Sequence, residues 1–497
     1  MIADNANKEN NYKEGKIIRD ATAFSGTLYF SQALNIIRGL VIAQVLGPAM
    51  YGVWSIFRSF FASAPYFGFG TQQAMLREVP FSIGEGNKQK SSIIIQTSLS
   101  WNLLLTSIVM ILLITLSFTS LAAEYSEELR LAGILFVLNA LHVFLRAKFK
   151  SEQKILLLSK FMFSYTVLNT IFGLTFLFFF KLSGLLIGMI IAHIALFYYI
   201  IKNGHLSLNL FIDKKILRQL FHVGFPIMIL MFLLFLIGNV DKFIVFIMLG
   251  KTKVGYYGLA AIISSVVGYI SHSISTVIFP RMMYVYGKTG EKKDIEKYFT
   301  KPMIILSGMI PVILGIIYIN IEAVINLLLP QYIPGITVLH ILIAALFFST
   351  IWGLPINLLI ALNKQRKFMY ITAIVLLFSI VLDLIVIQMG FDINGVAAVS
   401  AFAFFLISTL ANGYSLFLFK DSIWQIFQKL SLIYLPYIYS FAGVIFIISI
   451  TLSQKIFLDN ILKSLLFVVF SAPLIIKIEK ESKIINKILS LLKISKK

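Results

Sequence analysis

Stretches of about twenty mostly apolar residues, long enough to cross a bilayer as a helix, recur along almost the whole of this 497-residue chain. In hydrocarbon every backbone N–H and C=O must be paired inside the protein, which leaves helices and closed barrels as the only spanning structures. A barrel strand crosses in about ten residues with alternating polarity, and these segments are longer and apolar throughout. Composition points the same way. The chain is 59% hydrophobic and 13% charged, against about 25% charged in soluble domains. A soluble globular protein is excluded, and the sequence predicts an all-α polytopic membrane protein.

Fourteen transmembrane helices are expected, at 22–46, 53–75, 92–118, 129–147, 156–180, 182–201, 222–248, 254–279, 302–319, 335–361, 368–389, 393–419, 430–453 and 458–477. Only Lys181 punctuates the run from 156 to 201. Residues 1–20 are polar and mixed in charge with no apolar core, so no cleavable signal peptide is expected there.

The formal charge of +21 would suggest nucleic acid in a soluble protein, but its distribution follows the loops. Lys and Arg in short loops resist translocation and mark the cytoplasmic side. One alternate set of loops and ends holds 34 of the 43 Lys and Arg; the other holds six, namely Arg130, Lys181, Lys251, Lys253, Lys455 and Lys463. Both termini are therefore expected in the cytoplasm of a cell whose plasma (inner) membrane holds the chain. Two stretches read as amphipathic interfacial helices. The first is 208–221, with Ile216, Leu217 and Leu220 beside Lys214, Lys215 and Arg218; the second is the tail, with Ile484, Ile488 and Leu491 beside Lys487 and Lys493.

Cysteine is absent, so no disulfide or Cys-based metal site exists, and no two of the six histidines fall at i,i+3 or i,i+4 as a zinc-binding helix requires. Metal hydrolysis is not expected. The ionisable groups deepest in spans are Arg38, Arg58, Lys242, Asp241 and Asp383. Each costs several kcal/mol in hydrocarbon unless it meets a partner or a wet cavity, which makes them the candidate site.

An internal repeat organises these groups. Leu46-Gly47-Pro48-Ala49-Met50-Tyr51-Gly52 ends the first span and Leu249-Gly250-Lys251-Thr252-Lys253-Val254-Gly255 ends the seventh, at a constant offset of 203. Six intervening spans, an even number, give two halves of the same orientation, related by an axis along the membrane normal, with a substrate site expected between them. At this offset Arg38 falls on Asp241. A rise of about 1.5 Å per residue puts Arg38 roughly 12 Å below the outer end of its span, and Arg58, Asp241, Lys242 and Asp383 in a similar layer. No carboxylate in the first six spans is deep enough to neutralise the two arginines, which favours a binding role for them. Lys242 beside Asp241 or Asp383 reads equally well as a pair that holds the bundle.

These landmarks resemble the MOP superfamily, in its polysaccharide-transport branch of lipid-linked oligosaccharide flippases. The residues are Leu46-Gly47-Pro48 with Tyr51-Gly52-Val53-Trp54, Gly68-Phe69-Gly70 followed by Arg77-Glu78, Gly224-Phe225-Pro226, Asn239-Val240-Asp241-Lys242, and Phe279-Pro280-Arg281. The resemblance implies residues 1–207 as a first six-helix bundle, 208–419 as an interfacial helix and second six-helix bundle, and 420–497 as two extra helices and a basic tail. It further implies alternating-access movement of a polyprenyl-diphosphate-linked glycan to the outer leaflet. Arg38, Arg58 and Lys242 would then meet the diphosphate, and Asp383 or Asp241 would carry a coupling proton or sodium ion, no other cofactor being implied. Where the family has Asp-Arg this chain has Asp241-Lys242, which keeps the charges but lacks the planar fork that binds phosphate. Membrane lipids and other polysaccharide-assembly proteins are the partners to expect, around a monomer that binds no nucleic acid.

Two other readings use similar chemistry. A polysaccharide polymerase or ligase would need a large outer loop with Arg and His, and the outer loop at 320–334 has neither. A multidrug exporter of the same superfamily would need acidic groups in both halves, whereas the deep carboxylates both lie in the second.

Overall fold

The computed structural model describes residues 2–204, 209–454 and 456–482, and among these the chain is helical with no strand. The basic tail at 484–493 lies outside the described residues. Among the described residues ten helices are long and apolar enough to cross a membrane, or eleven if the bent pair Phe457–Phe470 and Ala472–Lys480 forms one span. This is fewer than fourteen: the first and second expected spans run on as one helix, as do the fifth and sixth, and the span expected at 254–279 is not among the ten. Helix Ile155–Lys202 leaves helical geometry only at Phe180 (φ −127°, ψ 17°) and Lys181 (φ 52°, ψ −127°). There it folds back on itself: a Cβ on Gly184 would lie 2.0 Å from Phe176 O, and one on Gly188 2.3 Å from Phe172 O. Those opposed pairs define an antiparallel hairpin at the punctuation that Lys181 supplies. Helix Ile2–Ala62 likewise joins the first two expected spans across a kink at Gly47.

The chain divides into two compact units, Met1–Phe235 and Leu236–Lys497. The first is built on the Ile155–Lys202 hairpin, which packs against the Ile2–Ala62 and Ser126–Ser151 helices, with Phe136, Phe144, Phe149 and Phe161 fully buried. A second layer joins Lys88–Leu116 to Ser126–Ser151. The Gly68-Phe69-Gly70 motif interrupts the second span as a tight turn. There Thr71 Oγ1 donates to Gly68 O (3.0 Å), and Asn102 Nδ2 donates to Thr71 Oγ1 (2.9 Å) and Ser98 O (2.7 Å).

Of the stretch expected as a separate interfacial helix at 208–221, residues 209–213 are not helical and 214–221 are the first two turns of a longer helix, Lys214–Ile237. Asp213 Oδ1 accepts from Lys215 N (2.8 Å) and Ile216 N (2.9 Å) and starts it, and Pro226 does not break it. Its amphipathic pattern holds: Leu220 is buried, while Lys214, Lys215 and Arg218 are exposed. This helix packs in the first unit through backbone contact. A Cβ on Gly224 would fall 1.9 Å from Gly70 O, and one on Gly70, itself at φ +89°, 2.3 Å from Gly224 C. Two motifs that the sequence places 154 residues apart, counted from Gly70 to Gly224, thus meet main chain to main chain.

The second unit centres on helices Lys292–Leu328, Ile336–Ile351 and Asp392–Leu418. The last two expected spans are part of its core. Phe467 fills the space beside Gly315 and Phe470 that beside Gly443, in a cluster with Val312, Ile319, Val444 and Ile447. Asn320 Nδ2 donates to Ser464 Oγ at 2.8 Å in the same place.

Candidate functional site

The repeat that sets the site is a repeat of backbone as well as of sequence. Gly47 has φ 66° and ψ 171°, and Gly250 has φ 86° and ψ 170°, a region open in practice only to glycine. Each ends a helix that carries a charge nine residues earlier, Arg38 in one copy and Asp241 in the other. The five candidate residues form two sets, one in each unit.

In the first unit Arg38 and Arg58 are half-buried and lie in each other's electrostatic field, with the Tyr165 ring also close to Arg38. Neither guanidinium has a hydrogen bond or ion pair to a carboxylate among the described residues. Like charges brought together and partly desolvated favour an anion beside them. Arginine's planar fork suits phosphate oxygens because it donates two parallel hydrogen bonds.

Sequence reading missed several neighbours. His142, Tyr165 and His193 form an aromatic triad with ring centroids 4.1 Å (His142 to Tyr165), 4.7 Å (Tyr165 to His193) and 5.6 Å (His142 to His193) apart. His193 feels the field of Arg38, and His142 that of Arg146. Arg146 therefore belongs with this cluster on the helix Ser126–Ser151, although its charge fits the cytoplasmic-loop pattern. One signal was available: His142 and Arg146 stand at i,i+4, on one helix face.

In the second unit Asp241 and Lys242 open the short helix Val240–Leu249. The Asp241 carboxylate accepts from Tyr257 Oη, from Ser400 Oγ (2.9 Å) and from Lys242 N (2.8 Å). Tyr257 Oη and Ser400 Oγ are themselves 2.8 Å apart. The Lys242 ammonium donates to Asn239 Oδ1 at 2.9 Å, so the partners of Asp241 are hydroxyls and a main-chain amide rather than the neighbouring ammonium. Asp383, 1% exposed, stands in the field of Asp241, and its Oδ1 has no hydrogen-bond partner among the described residues. Tyr257 and Ser400 were not legible as site residues, since hydroxyls in spans commonly bond their own helix.

A family model described as polysaccharide biosynthesis protein matches residues 17–285, more than half of the chain and across Arg38, Arg58, Asp241 and Lys242. The chain belongs to the polysaccharide biosynthesis protein family. A Shigella flexneri protein named "Putative O-antigen transporter" is 23% identical over 354 residues, 65% of this chain and 80% of that protein. A solved lipid II flippase, MurJ, in an inward closed conformation shares the fold with a TM-score of 0.69 at 18% identity, covering 90% of this chain and 98% of the other. An inward-facing multidrug resistance MATE transporter of the MOP superfamily gives a TM-score of 0.63 at 15% identity, with 80% and 98% covered. The chain is thus a multi-pass membrane protein of that family, with the fold that these transporters share.

Proposed function

We propose that the chain moves a polyprenyl-diphosphate-linked oligosaccharide from the cytoplasmic to the outer leaflet by alternating access, supplying surface polysaccharide assembly. The observation that carries this reading is that Arg38 and Arg58 lie in each other's field, neither with a carboxylate partner among the described residues. A diphosphate does not enter hydrocarbon with its charges bare, and two guanidiniums replace its hydration with charge-assisted hydrogen bonds. Lys242, in the second unit, is a cation that lacks this fork. A cationic drug would be repelled by the same arginines, which disfavours the exporter reading.

Coupling is assigned to the second unit. The Asp241 oxygens are engaged by three donors, whereas Asp383 Oδ1 has none among the described residues. A proton or sodium ion is best received at Asp383, with Asp241 beside it as second carboxylate.

Complementation of a strain lacking its own oligosaccharide flippase tests the function. The chain should restore surface glycan, and Arg38→Ala or Arg58→Ala should abolish that rescue with membrane levels near those of the parent. Arg38→Lys should restore part of it, since charge survives without the fork. Full activity of both alanine variants would overturn the reading.

A further inference from the structure

The two histidines of the first unit have a geometry that packing alone does not require. His142 and His193 are 4% and 0% exposed. Their rings meet edge to face at 5.6 Å with Tyr165 in contact with both. His193 Nδ1 lies 2.8 Å from Met189 O. A carbonyl only accepts, so Nδ1 carries the hydrogen and Nε2 is the one nitrogen at which that ring can gain a proton. His193 Nε2 and His142 Nδ1 are both buried without a hydrogen-bond partner among the described residues.

The charged groups facing these rings are cations, from the two helices that pack against the hairpin. Arg38 approaches from the Ile2–Ala62 helix, Arg146 from His142's own helix Ser126–Ser151, and Tyr165 is the titratable group on the hairpin that carries His193. Arg58 lies in turn in the field of Arg38. No carboxylate faces either ring among the described residues.

Imidazole is the side chain that titrates near neutrality in water. A proton gained by either of two touching rings beside arginines meets like charge nearby. A diphosphate bound at Arg38 and Arg58 reverses that field and offers a counter-charge to imidazolium. We propose that the His142, Tyr165 and His193 cluster is the proton-accepting wall of the arginine site, so that an anionic diphosphate binds there together with a proton. The proton adds to the lone pair of His193 Nε2 or His142 Nδ1 and leaves when the anion leaves. Like charges at that distance limit the pair to one proton. Its gain lowers the net negative charge that must be accommodated inside the membrane, where uncompensated charge is costly. The inference rests on the anion site proposed above and adds to it the linkage to pH.

The test uses the purified full chain in detergent with farnesyl diphosphate as probe. Calorimetric titrations in buffers of different ionisation heat, run between about pH 6 and pH 8 where free imidazole titrates, count protons taken up per probe bound. The unsubstituted chain should take up a sizeable fraction of one proton, and its Kd should weaken as pH rises, by up to about tenfold per pH unit for one linked proton. His142→Gln and His193→Gln, singly and together, should bind the probe with less proton uptake and a flatter profile. The probe's own titration is common to all variants and cancels in the comparison. Single variants and a melting curve for each keep the result readable where the double variant folds poorly. Unchanged uptake and slope in folded histidine variants would overturn the inference while leaving the arginine site standing. Absence of probe binding to the unsubstituted chain at every pH would overturn both, and loss of binding in Arg38→Ala together with retained binding but reduced proton uptake in the histidine variants would support both.

Discussion

Two buried aspartates in the second unit differ in what their oxygens touch. Asp241 accepts from Tyr257, Ser400 and the main chain of Lys242, so its place is set by three donors from separate parts of the unit. Asp383 is as deeply buried yet has an oxygen with no such partner among the described residues. A buried polar atom without a partner costs about 1–3 kcal/mol, a cost that a proton or cation bound there would relieve. Asp383→Asn keeps the shape and removes the charge. In reconstituted vesicles it should uncouple transport from an imposed proton or sodium gradient while the lipid-linked substrate still binds. Gradient dependence equal to that of the parent would rule Asp383 out. At this scale the sequence showed the charged members of both sets, because a charge in a span stands out against apolar neighbours. His142, Tyr165, His193, Tyr257 and Ser400 did not stand out, because such residues are ordinary in a membrane helix and only contact reveals what they face.

The helices meet where side chains are missing. Gly70 and Gly224 press their main chains together so closely that a methyl group on Gly224 would lie 1.9 Å from Gly70 O. That neighbour is backbone, which cannot swing aside as a flexible side chain would. Overpacking of this kind costs about 1–3 kcal/mol in well-packed cores, and at Gly70 the positive φ of +89° adds strain for any L side chain. Gly224→Ala and Gly70→Ala should each lower the melting temperature and membrane yield of the chain, while Gly204→Ala, with open space around it but also at positive φ, should cost less. Equal stability of Gly224→Ala and the parent would show that these segments can separate freely. Both motifs were visible in the sequence, but not their contact, since nothing in either run of residues names its partner. The offset of 203 was legible in full, and the matching conformations of Gly47 and Gly250 give its physical reason: each needs a backbone that only glycine adopts. The span boundary at Lys181 was also legible, whereas the start of Lys214–Ile237 was not, because its basic first turns pass into the apolar ones without a break.

Over the whole molecule, charge and crossing number must agree. Thirty-four of 43 basic residues fall on one alternate set of loops and ends, and each Lys or Arg near a span end biases that end towards the cytoplasm. The structure supplies exposed positions at which the resulting orientation can be read. Ser120 is exposed before the Ser126–Ser151 helix, and Glu291 is exposed between Ala260–Thr289 and Lys292–Leu328. Between them run Ser126–Ser151, the two arms of the Ile155–Lys202 hairpin, the Lys214–Ile237 helix with its continuation Val240–Leu249, and Ala260–Thr289. If each crosses once, the number of crossings is odd and the two positions face opposite sides. The chain has no cysteine, so Ser120→Cys and Glu291→Cys each introduce a single reporter. A membrane-impermeant maleimide applied to intact cells should label the first and not the second, and permeabilisation should expose the second. Labelling of both from outside would mean that one of these helices fails to cross. Labelling of Glu291→Cys alone would invert the whole chain, placing most of its basic loops on the outside against the charge bias that orients it.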